Sequence, residues 1–101
     1  MNAPAIISSA LKVLAVWEAL KGHTLTGLSN TELAAATGQS APNVSRALAT
    51  LVEGGYVTRY ESGRYAHSVK TLQIAQAHLT HMQQFRTRAA ELDQRISAGA
   101  N

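Results

Sequence analysis

Residues 28–65 read LSNTELAAATGQSAPNVSRALATLVEGGYVTRYESGRY. The order of signals in this stretch leaves few folds open. Ser29-Asn30-Thr31-Glu32 matches a capping box, in which a hydroxyl caps the first helical turn and a Glu three residues on reaches back. It predicts a helix over Asn30–Thr37 that buries Leu33 and Ala34, with Gly38 as the turn. Ser40 is a natural N-cap, and Pro42 falls in a first turn, where its missing N–H is not needed. The next helix is therefore expected over Ala41–Glu53. Val44, Ala47, Leu48 and Leu51 lie on one side of it, and Pro42, Asn43, Arg46, Ala49, Thr50 and Glu53 on the other. Gly54-Gly55 stops it. Tyr56–Tyr60 is β-branched and aromatic and reads as a strand, Glu61-Ser62-Gly63 as a hairpin tip, and Arg64-Tyr65-Ala66 as the return. Helix, turn, helix and hairpin form the order of a winged helix-turn-helix, an arrangement that puts one helix into the DNA major groove.

The flanks complete the layout. Ile6, Ala10, Val13, Leu14, Trp17 and Leu20 recur at helical spacing and predict a helix over Ser8–Leu20, ended by Gly22. Thr24–Leu28 reads as a loop with a short strand at Leu28. A long helix is expected over Ser68–Ser97, before an Ala-Gly tail to Asn101 that should fray. Along it Ala75, Met82, Ala89 and Ile96 are spaced by seven. Leu72 and Leu79 form a second row, and Phe85 and Leu92 a third, so the heptad-like stripe shifts register once. The expected class is mainly α with a small β-hairpin. A DNA-binding unit would occupy residues 1–67, and a dimerisation helix residues 68–101. Leu33, Val44, Leu48, Leu51 and Val57 should share one core with Val13, Leu14 and Trp17. The stripe of Leu72, Leu79, Met82, Phe85, Ala89, Leu92 and Ile96 is too long for so small a body to cover. It predicts a homodimer interface, with the first helix also at the two-fold.

Composition narrows the class of function. A chain of 101 residues suits one domain, and 46% hydrophobic residues is too many for a disordered polar chain. The absence of cysteine excludes disulfides and thiolate metal sites. No apolar run approaches the roughly 20 residues that cross a bilayer, and the N-terminus lacks the basic start of a signal peptide. A cytoplasmic protein with no membrane association is expected. The net charge of +3 permits polyanion binding without demanding it, so placement matters more than the sum.

The outward face of the helix over Ala41–Glu53 is small and polar, with one arginine. Arg46 suits guanine O6 and N7, Asn43 suits adenine, and Ser45 and Thr50 suit phosphates. Gln39, Ser40 and Pro42 complete the expected DNA face at the helix start. Arg59, Arg64 and Lys70 flank the hairpin tip, where Arg59 and Arg64 are candidates for the DNA backbone or minor groove, although Glu61 opposes them. His78 and His81 are three apart on one helix and follow His67. With no carboxylate at the matching turn they read as surface histidines, and neither metal nor cofactor is expected. No nucleophile elbow, phosphate loop or paired-carboxylate pattern is present, so no enzyme is expected. Trp17 and the tyrosines belong to core or wing.

The segments SALKVLAVWEAL, LSNTELAAATG, SRALATLVEGGYVTR and SGRY resemble the N-terminal DNA-binding domain of the IclR family of bacterial transcription regulators. PNVSRALATLVEGGYVTR also resembles the MarR family. The resemblance covers about Ser9 to Leu72. It implies that the helix over Ala41–Glu53 is the recognition helix and that Ser62-Gly63-Arg64 tips the wing. Two departures stand out. IclR regulators carry a large effector-binding domain where this sequence has one long helix, which leaves any effector unknown. Pro42-Asn43 stands where the family often has small hydroxyl residues, so the bases read do not carry over. The expectation is a homodimeric repressor on a pseudo-palindromic operator in double-stranded DNA, of a size that fits a phage or mobile element. The alternative is a winged-helix module that docks on a protein through its C-terminal helix.

Overall fold

The computed structural model describes residues 3–99, and the tail at Asn101 lies outside them. Its elements are α1 (Ser8–Ala19), α2 (Asn30–Thr37), α3 (Ala41–Glu53), β1 (Val57–Arg59), β2 (Tyr65–His67) and α4 (Val69–Gly99). Three helices precede a two-stranded antiparallel hairpin, and a long helix follows: a winged helix plus a C-terminal helix. The chain divides into two units between Thr71 and Leu72.

In the first unit the predicted caps form. The Ser29 hydroxyl accepts from the Glu32 backbone N–H at 3.1 Å, and the Glu32 carboxylate accepts from the Ser29 N–H at 3.2 Å. Gly38 ends α2 at φ +69°, its N–H returning to Ala34 O. That left-handed geometry is strained for a residue with a Cβ. Ser40 caps α3, and Pro42 occupies its first turn. At the far end Gly55 N–H reaches Val52 O and Tyr56 N–H reaches Leu51 O, which turns the chain into β1.

The hairpin pairs Val57 with His67, Thr58 with Ala66 and Arg59 with Tyr65. Leu28 adds a third edge, exchanging two 2.8 Å backbone hydrogen bonds with Tyr65. Gly27 makes this docking possible. It lies at φ +71°, and a Cβ there would sit 2.6 Å from Tyr65 O.

The core comprises Val16, Leu20, Leu33, Val44, Ala47, Leu48, Leu51 and Val57, with Val13, Trp17, Ala19, Leu28, Ala34, Tyr56 and Tyr65 packed on it half-buried. The four apolar residues predicted for the inner side of α3 are all buried. Leu14 is a correction: expected in the core, it is 51% exposed, while Val16 is fully buried. Apolar residues lie around most of α1, including the exposed Leu11. Periodicity alone therefore could not choose which side faces inward.

A polar cluster ties the base of α4 to this unit. Trp17 Nε1 donates to Thr71 Oγ1 at 3.1 Å, and Thr71 Oγ1 donates to Tyr56 O at 2.6 Å. His67 Nε2 donates to Trp17 O at 2.7 Å. Ser68 caps α4 through Thr71 N–H and also donates to Gly55 O. In the second unit α4 continues as helix. Leu72, Leu79, Phe85, Leu92 and Ile96 along it are exposed, and Met82 is half-buried.

Truncating Leu48, which is 1% exposed, removes the centre of the α3 packing face. Leu48→Ala is expected to cost about 2–5 kcal/mol, the range for emptying a buried leucine site, and equilibrium urea unfolding measures it.

Candidate nucleic-acid interface

The capped turn between α2 and α3 exposes one side of α3, and the polar groups there are already ordered by their neighbours. Ser40 Oγ accepts from Asn43 N–H at 3.3 Å. The Arg46 guanidinium donates to Asn43 Oδ1, so the two side chains predicted to read bases lie together on the surface. Thr50 Oγ1 donates to Arg46 O within the helix at 2.9 Å. Asn30 Nδ2 donates to Ser45 Oγ at 2.8 Å, fastening α2 to α3. Pro42, Ser45, Arg46 and Thr50 are exposed, and Asn43 is half-buried.

Asn43, Arg46 and Thr50 form one wall of a groove of about 430 Å³, with Gln39 at its end and Ser9 and Lys12 of α1 opposite. Gln39 Nε2 donates to Lys12 O at 2.9 Å, which holds the start of α3 to α1. Gln39 thus braces the groove through one end of its amide. Its buried Oε1 has no protein partner. Pro42 and Ser45 do not line this groove. Lys12 is the residue the sequence reading missed. Its one signal in the sequence is to be a lone cation in an otherwise apolar stretch.

The wing presents its cations differently. The three guanidinium nitrogens of Arg64 are all engaged: Nε with Thr26 O at 3.1 Å, Nη2 with Gly27 O at 3.0 Å, and Nη1 with the Glu32 carboxylate at 2.8 Å. Arg59, at the end of β1, is exposed. It takes no part in either ion pair found among the described residues, Arg64–Glu32 and Lys21–Glu18. Lys70, grouped with the tip cations from sequence, instead donates to Gly54 O at 3.0 Å and lies 4.3 Å above the Tyr56 ring. There it covers the carbonyl end of α3, where a cation is favoured. His78 and His81 are exposed on α4, and no group of three metal-ligating side chains occurs among the described residues.

A small helix face beside a hairpin wing, after a capped turn, is the geometry that comparison with known proteins can place. The IclR helix-turn-helix domain model matches residues 9–61, just over half of the chain. The chain belongs to this family. Solved structures share the fold. An IclR-family transcriptional regulator from Brucella abortus superposes with a TM-score of 0.62 at 30% identity, over 71% of this chain and 28% of that one. A Rhodococcus regulator described as IclR-family superposes at 0.59 with 21% identity, over 76% and 32%. The chain thus spans about a third or less of the length of these proteins. A search of curated proteins found no match. Among the described residues no helix is long and apolar enough to cross a membrane.

Within the IclR domain the titration of Glu32 is displaced downward. The Ser29 backbone N–H, the Ser29 hydroxyl and then Arg64 hold its carboxyl below the ordinary value. A depressed carboxyl adds stability that is fully present above its unfolded-state pKa and is lost as pH falls through the folded value. The wild-type unfolding midpoint should therefore drop more steeply than that of Glu32→Gln as pH is lowered below about 4.3, the ordinary Glu value. Thermal unfolding across an acid pH series measures the difference.

Proposed function

We propose that this IclR-type chain is a sequence-specific, double-stranded-DNA-binding transcription repressor that acts as a homodimer. The observation that carries the reading is the bonded pair of exposed Arg46 and half-buried Asn43 on α3, set in a groove with Lys12. A helix with small flanking residues and one arginine fits the major groove floor. Arg46 then meets guanine, Asn43 meets an adjacent base, and Ser45, Thr50 and Lys12 meet backbone phosphates. Gln39, Ser40 and Pro42 lie at the end of α3 that approaches first, and exposed Arg59 brings the wing to the flanking backbone.

The homodimer reading rests on α4. Its 31 residues make a rod of about 46 Å at 1.5 Å per residue. Leu79, Phe85, Leu92 and Ile96 are each more than half exposed along it. A stripe of that length on a helix is an association surface. Pairing two copies through α4, with the exposed Leu11 and Leu14 of α1 joining, would present two recognition helices to half-sites about one DNA turn apart or a multiple of it. A pseudo-palindromic operator follows. The same stripe supports a second reading, a protein-interaction module, and DNA binding separates the two.

Duplexes selected from a random pool should be retarded by the wild-type protein, with affinity falling steeply as salt rises. Arg46→Ala should lose about 1–3 kcal/mol on the selected site and relax the preference there. Absence of any retarded duplex at about 50 mM salt, where phosphate contacts are strong, rejects DNA binding.

Placing two charges in the stripe, as in Met82→Glu with Phe85→Glu, should give monomers by light scattering at micromolar protein and weaker operator binding. A wild-type monomer, or a double variant that stays dimeric and binds normally, excludes this interface.

A further inference from the structure

The geometry points to a division of labour in the wing: Arg64 is a positioning residue that locks the wing to the helix-turn-helix, and Arg59 is the wing cation that meets the DNA backbone. The backbone contact rests on the DNA-binding reading above, whereas the lock is a property of the free protein.

Four observations converge on the lock. Arg64 bridges three acceptors on two different segments, Thr26 O and Gly27 O before α2 and the Glu32 carboxylate within it. A fork that spans fixed acceptors is what guanidinium geometry provides and an ammonium does not. Next to it, Tyr65 and Leu28 exchange two backbone hydrogen bonds, over a Gly27 that has no room for a side chain. On the same loop, Tyr60 donates its hydroxyl to Thr24 O. Finally, α2 is itself fastened to α3 by Asn30 and Ser45. The wing is thus registered to the recognition helix through α2, and Arg64 is the side chain that joins wing to α2.

Charge separates the two arginines. Arg64 faces Glu32 at 2.8 Å, so the pair is close to neutral and releases few counterions from DNA. Arg59 stands two residues before Glu61 at the tip, is exposed, and is outside both ion pairs of the described residues.

The test measures affinity for a selected duplex over a salt series, for wild type, Arg59→Ala, Arg64→Ala and Arg64→Lys. Helix content and unfolding midpoint are recorded for each. Loss of one phosphate contact lowers the log–log salt slope by about 0.9. Arg59→Ala should show that change. Arg64→Ala should lose affinity with the wild-type slope, and Arg64→Lys should fail to restore it. A lowered slope in Arg64→Ala, with recovery in Arg64→Lys, would mean that Arg64 touches phosphate and would overturn the proposal. So would an unchanged slope in Arg59→Ala.

A second measurement needs no DNA. Amide hydrogen exchange at Leu28 and Tyr65 in the free protein should speed up at least about fivefold in Arg64→Ala, the factor that 1 kcal/mol of lost local stability produces. Unchanged exchange refutes the lock even where no duplex binds, whereas faster exchange without duplex binding leaves the lock standing and rejects the DNA-binding reading alone.

Discussion

The carboxylate of Glu32 is where the recognition unit is closed. One oxygen accepts the Ser29 N–H and completes the α2 cap, and the same atom meets Arg64 from the wing. Without the cap, the first turn of α2 would leave backbone donors unsatisfied. Without the arginine, the hairpin would keep the Leu28–Tyr65 ladder, the Tyr60 hydroxyl, the His67 bond to Trp17 O and the buried Val57, but would lose its ion pair to α2. The placement of α3 depends in turn on α2, through the Asn30–Ser45 bond and the left-handed Gly38. A single side chain of a short helix therefore bears on both elements that would face DNA.

The parts of this architecture that are local in sequence were legible from it. Ser29 to Glu32, Gly38, Ser40 and Pro42 each act within four residues, and α2 and α3 begin and end where these signals lie. The buried side of α3 followed from its period because polar and apolar residues separate cleanly around it. The less legible parts depend on long-range partners or on a helix without polar contrast. Arg64 and Lys70 looked alike beside the hairpin tip. Their acceptors, Glu32 and Thr26 in one case and Gly54 in the other, lie 16 to 38 residues away. Leu14 against Val16 could not be decided on a helix that is apolar almost all round. Lys12 lies on α1, 34 residues before Arg46, and only the packing of α1 on α3 brings both to one groove.

The polar side of α3 is orderly before any ligand arrives. Arg46 rests on Asn43, Thr50 on its own helix, Ser45 on Asn30, and Gln39 on α1. Side chains held by neighbours lose less rotamer freedom when they meet a partner, so more of each contact remains as net affinity. A partner that needed Asn43 or Arg46 moved would have to break a bond already made. In the second unit Leu79, Phe85, Leu92 and Ile96 of α4 are exposed.

Trp17 sits where the three-helix body, the hairpin and the first turn of α4 meet. Its indole N–H is bonded to Thr71, and its ring centre lies 5.6 Å from that of His67. It is the only tryptophan in the sequence. The chain therefore carries a native optical probe at the root of α4. Any opening of that root exposes a half-buried indole to water and frees its N–H, shifting its emission with no label attached.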